Sequence, residues 1–118
     1  MAKISQPAQI ELEYYSGEPN DPDIHSSERW MVPPDFTNEL RLAVYPDDDR
    51  VFKSSELDKL GRLQIEISGT PRAYEAFGRY LIALARLETS DDNPHDHFED
   101  VEFAAGGTAH LIVRRRKQ

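Results

Sequence analysis

The sequence contains no cysteine among its 118 residues. Disulfide bonds and thiolate chemistry are therefore excluded, and the composition is compatible with a reducing compartment such as the cytoplasm. No apolar run approaches the length of about 20 residues that a helix needs to cross a bilayer. The N-terminal stretch MAKISQPAQIELEYY also lacks the apolar centre of a secretion signal. These absences predict a cytoplasmic protein that does not enter a membrane.

Basic residues are scarce, with 14 Lys and Arg against 22 Asp and Glu, for a net charge of −8. Four of the 14 lie at Arg114–Lys117, so the rest of the chain has ten basic residues, 22 acidic residues and a net charge of −12. A domain with this negative charge repels nucleic acid and anionic membranes, and it attracts basic proteins. We interpret residues 114–118 as a basic, solubilising tail.

The chain length fits a single domain over residues 1–118. Strands are predicted where apolar and polar residues alternate, because alternate side chains of a strand share a face. The alternating segments are 9–15, 40–45 and 62–68. Two further strands, at 98–103 and 109–115, flank Gly106-Gly107, a hairpin signal. Strands with one apolar and one wet face are typical of an antiparallel sheet that is covered on one side.

One main helix is predicted after the third strand. Thr70 can cap its free backbone amides, and Pro71 is tolerated at the first helical position. Apolar residues recur there at spacings of three and four, namely Tyr74, Phe77, Leu81, Leu84 and Ala85. The predicted fold class is α+β, with a single antiparallel sheet of about five strands and one main helix packed on one face.

Residues 16–38 are predicted to form a long, acidic, proline-rich loop that contains the only tryptophan, Trp30, and a short strand near 29–32. Trp30 is suited either to closing one end of a small core or to an interface. Tyr15 and Tyr45 fall on wet strand faces, where exposed aromatic side chains anchor partners and an acidic rim speeds the capture of a basic protein. The predicted partner-binding residues are Glu11, Glu13, Tyr15, Trp30, Tyr45, Asp47, Asp48 and Asp49.

Two of the four histidines lie in the stretch NPHDHFEDVEF, at residues 93–103. On a strand, His95, His97 and Glu99 share a face, which makes them weak candidates for the ligands of a catalytic zinc ion. The neighbouring acids Asp96 and Asp100 are equally explained as solvated charges.

Two hairpin registers are compatible with the sequence, and they differ in where His110 lies. A two-residue loop places Phe103 opposite His110, which brings His110 near the pair. A one-residue slip places Phe103 opposite Ala109, and we favour it, with a bulge in the turn, because it matches the apolar faces better. The sequence has no HExxH motif and no nucleophile elbow. We therefore predict no catalytic residue, no cofactor and no metal.

The second half of the chain contains a sequence of short motifs. Ser68-Gly69-Thr70 precedes an Ala- and Leu-rich helix, His95-Asp96-His97-Phe98 follows an acidic spacer, and Gly106–Val113 closes the chain with an apolar strand. This order resembles the immunity protein 32 family of bacterial polymorphic toxin systems. The resemblance implies a small, cytoplasmic, non-enzymatic protein that binds and neutralises a toxin made by the same cell or delivered by a sibling.

We expect the chain to neutralise a cognate toxin with a basic cleft by occluding its active or binding surface. No nucleic acid or membrane partner is expected, and the protein is expected to be a monomer or a homodimer. Two alternatives remain open at this point. One is a small metal-dependent enzyme that uses the His95 and His97 cluster, and the other is a homodimeric regulatory or accessory domain joined through the open sheet face.

Overall fold

A computed structural model describes residues 1–16, 29–36, 38–46 and 63–117 of the chain. These residues form two small layers of strands and one helix. The elements are β1 (Tyr14–Ser16), β2 (Arg29–Met31), β3 (Leu40–Pro46), β4 (Leu63–Gly69), α1 (Pro71–Ala85), β5 (His95–Phe103) and β6 (Thr108–Arg114). No helix in the described ranges is long and apolar enough to span a bilayer.

The α+β class and the helix on a sheet are confirmed, but the strand arrangement differs from the prediction. The described strands form a four-stranded sheet in the order β4-β3-β5-β6 and a separate antiparallel pair, β1-β2. β3 and β5 run parallel, through Arg41 opposite Glu102 and Leu42 opposite Phe103. The expectation of an all-antiparallel sheet was wrong, because alternation reports which face is wet and not the direction of a neighbour. The segment predicted as a strand at 9–15 is strand only from Tyr14.

Helix α1 begins where the sequence predicts. The Thr70 side chain accepts a hydrogen bond from the Ala73 amide at 3.1 Å, and Pro71 is the first helical residue. A glycine suits position 69, just before this cap, because the chain is close to β3 there. A Cβ atom at Gly69 would lie 3.2 Å from the Glu39 carbonyl oxygen and 3.1 Å from Leu40 Cδ1. The Thr70 amide also donates to the Glu39 carbonyl at 3.1 Å. The cap and the close approach together attach the helix start to the beginning of β3.

The C-terminal end of α1 is held by Arg115. Its guanidinium group donates to the carbonyl oxygens of Leu84 at 2.9 Å and Leu87 at 2.8 Å. Leu84 lies in the last turn of the helix, where its carbonyl group also accepts from the Leu87 amide at 3.3 Å, and Leu87 follows two residues after the helix end. A cation at this end also interacts favourably with the helix dipole. The interpretation of residues 114–118 as a merely solubilising tail was therefore wrong for Arg115. Arg114 lies in β6, and Lys117 lies 3.6 Å from the Asp92 carboxylate.

The core lies between α1 and the inner face of the sheet, and the β1-β2 pair closes one end of it. Its buried members are Met31, Phe36, Leu40, Tyr80, Ala83, Leu84, Leu87, Phe98 and Val101. The buried stripe of α1 is rotated from the predicted one, because Tyr74 and Leu81 are 46% and 42% exposed. A Cβ atom at Gly78 would meet nothing within 4 Å, so the packing of α1 does not depend on this glycine.

The β5-β6 hairpin adopts neither of the two predicted registers. Val101 pairs with Ala109 and Phe98 with Leu111, and the register shifts between these two pairs. The expected irregularity thus lies within β5 rather than in the turn. Gly106 and Gly107 do form the turn, with φ angles of 111° and 75° that favour glycine.

Candidate functional site

A groove of about 220 Å³ runs along one side of helix α1. Two of the predicted partner-binding residues, Glu11 and Glu13, lie on its N-terminal wall, and Pro33–Asp35 forms another wall. The helix contributes Arg72, Ala76, Arg79, Tyr80 and Ala83. The structure therefore brings Glu11 and Glu13 together with Asp35, a residue of the segment 16–38 that was predicted to form an acidic loop.

The N-terminal wall of the groove is a segment in which exposed and core-facing side chains alternate. Leu12 packs against the core, whereas Glu11 and Glu13 on either side of it are exposed. Two residues later, the Tyr14 hydroxyl donates to the Ala83 carbonyl of α1 at 2.9 Å. This bond attaches the segment to the helix, so the two carboxylates are presented along the groove.

The second wall is held at both of its ends. Met31 and Phe36 are buried on either side of residues 32–35. Pro33 and Pro34 have fixed φ angles and no amide hydrogen, so they neither extend the β2 ladder nor flex as other residues do. Asp35 is thereby kept exposed beside the groove on a stiff support.

The charge of the groove comes from acids on the walls and arginines on the helix. Arg72 is already paired with Glu39, both through an ion pair and through a 3.0 Å hydrogen bond from Nε to Glu39 Oε1. Arg79 lies among the lining residues without a comparable contact in the described part of the chain. The groove lining thus contains the carboxylates of Glu11, Glu13 and Asp35 and the guanidinium groups of Arg72 and Arg79.

The aromatic candidates occupy three different environments. Tyr15 is 51% exposed on β1, as predicted for an anchor residue. Tyr45 is half-buried, and its hydroxyl donates to Glu66 Oε2 at 3.0 Å across β3 and β4. Trp30 is half-buried against the core, and its indole nitrogen donates to Asp96 Oδ1 at 2.9 Å, so it holds the core end together. The predicted contacts Asp47, Asp48 and Asp49 lie outside the described residues.

The histidines of β5 lie together with His110 of β6 on the face of the sheet that α1 does not cover. His97 Nδ1 and His110 Nε2 are 2.8 Å apart and share one hydrogen bond. The rings of His95 and His97 lie edge to face with centroids 5.1 Å apart. The approach of His110 was expected only with a two-residue loop, whereas the shifted register of the hairpin achieves it with a longer loop.

Glu99 does not belong to this histidine cluster. It is exposed at the register shift between Phe98 and Val101, and it forms no hydrogen bond or ion pair with the three histidines. As they stand, no three His, Asp or Glu side chains in the described ranges are arranged to hold a metal ion. The third member that the structure places beside His95 and His97 is therefore His110 rather than Glu99.

Asp96 was interpreted as a solvated charge, and this was wrong. Its Oδ2 accepts a 2.6 Å hydrogen bond from the Tyr80 hydroxyl, while its Oδ1 accepts from Trp30. Burial, together with this carboxylate, raises the pKa of Tyr80 far above its ordinary value, so the hydroxyl remains a donor. A signal was present in the sequence, since Asp96 has the same strand parity as the core residue Phe98.

Comparisons of the chain with protein-family models, with curated proteins and with solved structures found no match.

Proposed function

We propose that the protein is an immunity-type inhibitor that acts in the cytoplasm, where it binds a basic toxin and occludes its active or substrate-binding surface. The observation that supports this best is the groove in which Glu11, Glu13 and Asp35 come together on stiff supports. The motif order of the second half, which resembles that of the immunity protein 32 family, points to the same class of function.

Complementary charge is the physical basis of the proposed inhibition. A toxin that acts on nucleic acid needs a basic cleft for phosphate groups, and carboxylates on a rigid wall can occupy such a cleft in place of phosphates. A net charge of −8 adds long-range attraction to any basic partner. Attraction of this kind raises association rates by about 10 to 1,000-fold at low salt, and it weakens as salt screens the charges.

An anchor residue lies close to the acidic wall in sequence. Tyr15 follows Glu13 by two positions and is exposed on β1. A tyrosine supplies a large, rigid contact area, so it complements the carboxylates, which contribute more to the association rate and to specificity than to affinity. The proposed interface therefore combines Glu11, Glu13, Tyr15 and Asp35.

The test begins with the gene beside the coding sequence. If that gene encodes a toxin, its expression in bacteria arrests growth, and co-expression of this protein restores growth. The double variant Glu11→Lys/Glu13→Lys is expected to lose most of the rescue and to bind the toxin at least about tenfold more weakly, mainly through slower association. Glu75→Lys is the control for a charge reversal outside the groove, because Glu75 is exposed on α1 away from the groove lining and should rescue fully.

Two outcomes count against the proposal. Failure of the wild-type protein to rescue growth against any neighbouring or co-expressed toxin would exclude the immunity function. Rescue by the wild type that the double variant and the Glu75→Lys control retain equally would keep the function but move the interface away from the groove. Circular dichroism of each variant establishes that the exposed substitutions leave the fold intact.

A further inference from the structure

Three histidine rings follow one another across β5 and β6, outside the proposed interface. His97 pairs with Ile112, so His110 lies on the diagonal position of the neighbouring strand and on the same face. The ring centroids of His97 and His110 are 5.0 Å apart, and those of His95 and His97 are 5.1 Å apart. The side chains of His97 and His110 are exposed, so an ion in solution can reach both rings.

We propose that this cluster binds one divalent first-row transition ion of the class of Zn²⁺, Ni²⁺ or Cu²⁺. Imidazole nitrogens are preferred ligands of these ions. The facing nitrogens of His97 and His110 are 2.8 Å apart, which is a hydrogen-bond distance. Two nitrogens of a tetrahedral zinc site, each about 2.0–2.1 Å from the ion, lie about 3.3 Å apart. The pair therefore has to open by only about 0.5 Å to admit an ion.

The ion takes the place of the shared hydrogen bond. In the neutral pair one facing nitrogen carries a proton and the other carries a lone pair. When the donating ring moves its proton to its other nitrogen through water, both facing nitrogens present lone pairs, and the pair as a whole loses no proton. The three rings do not surround a common point as they stand, so binding of an ion requires this rearrangement.

His95 is suited to be the third ligand. Its Nδ1 donates to the Asn93 carbonyl oxygen at 2.9 Å, since a carbonyl oxygen can only accept. The proton is therefore on Nδ1, and Nε2 carries a lone pair. A histidine whose other ring nitrogen donates to a carbonyl group is the usual orientation of a metal ligand. Arg114 lies opposite His95 in the register, and its positive charge opposes a cation there, so His95 should contribute less to the affinity than His97 and His110.

The test is isothermal titration of the untagged full chain, stripped with a chelator and then titrated with ZnCl2 or NiCl2. We expect one ion per chain. His97→Gln and His110→Gln should each weaken binding by at least about tenfold, because even changes outside the ligand shell cost about 10 to 100-fold. His95→Gln should cause a smaller loss. Thr108→Gln is the control, since Thr108 is exposed on the same face of β6 and leaves all three rings in place.

Absence of wild-type binding overturns the proposal. So does equal binding by His97→Gln, His110→Gln and Thr108→Gln, because the ion would then be held elsewhere on an acidic protein. If a variant fails to fold, nuclear magnetic resonance of the wild type decides the question. Zn²⁺ must shift the ring resonances of His97 and His110, and unchanged ring resonances at saturating zinc contradict the site.

Discussion

Asp96 connects three elements through one carboxylate group. It lies on β5, and its two oxygens accept hydrogen bonds from Tyr80 of α1 and Trp30 of β2. A carboxylate near a core is costly unless its oxygens are paired, and here each oxygen has a neutral donor. The three residues therefore fix the position of the helix and of the small β1-β2 pair relative to the sheet.

Tyr80→Phe tests this junction and its pH dependence. Near neutral pH the variant should be less stable by about 1–2 kcal/mol, the usual contribution of one such hydrogen bond. Because the pKa of Tyr80 is raised in the folded state, its contribution is fully present below the ordinary tyrosine pKa of about 10 and is lost above it. The stability gap between wild type and variant should thus narrow by about 1.4 kcal/mol per pH unit above pH 10.

Urea unfolding of both proteins near neutral pH and about one unit above pH 10 measures this gap. Tyr15→Phe is the matched control, because its hydroxyl is on an exposed side chain of β1 and should change neither value. A gap between wild type and Tyr80→Phe that stays constant as the pH rises would show that the Tyr80 hydroxyl is not shielded from ionisation.

The inward position of Asp96 was predictable, but its partners were not. Strand parity with Phe98 assigns the side chain to the core face from the sequence alone. Its donors lie 66 and 16 residues away along the chain, so they depend on how the layers pack. The approach of His110 to His97 has the same origin, since it follows from a register shift that no local pattern specifies.

For the individual helix and strands, the sequence correctly predicted those features that depend only on neighbouring residues. Thr70 and Pro71 predicted the helix start because capping involves only neighbouring residues. Alternation located β3 and β4 within about one residue. The parallel pairing of β3 with β5 was missed because it depends on the path of the chain through α1, which returns it beside β3 rather than β4.

The C-terminal end of α1 supplies a matched pair of substitutions. Arg115→Ala removes the donors to Leu84 and Leu87, and it should lower the free energy of unfolding by about 1–2 kcal/mol. Arg116→Ala removes the same charge from the next residue, which is exposed, and it should change stability by less than about 0.5 kcal/mol. Thermal or urea unfolding measures both. Equal effects of the two substitutions would mean that charge, rather than the helix cap, is what Arg115 contributes.

On the scale of the whole molecule, the two proposed binding regions are built differently. The acidic groove requires three separate segments, since its walls come from residues 11–13 and 33–35 and its floor from α1. The histidine cluster requires only the β5-β6 hairpin. Loss of the β1-β2 pair from the helix would therefore abolish the groove and leave the histidines in place, so the proposed toxin binding should depend on the docking of the pair and the proposed ion binding should not.

The docking of the β1-β2 pair leads to a prediction about cooperativity. An isolated two-stranded sheet is marginally stable at best, so the pair should fold only with the rest of the chain. Met31 is fully buried, and Tyr14 and Trp30 are bonded to α1 and β5. Trp30 is the only tryptophan, so its fluorescence reports the docking of the pair, while far-UV circular dichroism reports the helix. We expect both signals to give the same urea midpoint, as for one two-state domain.

A tryptophan signal that changes at lower urea than the dichroism would contradict this expectation, because the pair would then detach while the helix and main sheet persist. Tyr14→Phe sharpens the comparison, since it removes the bond to the Ala83 carbonyl without touching the fluorophore. In one cooperative unit the substitution moves both midpoints down together. If the pair docks independently, only the tryptophan midpoint moves. The protein would then carry its acidic groove on a surface that opens before the whole chain unfolds, and the affinity for a toxin that we propose would be reduced by the undocked fraction.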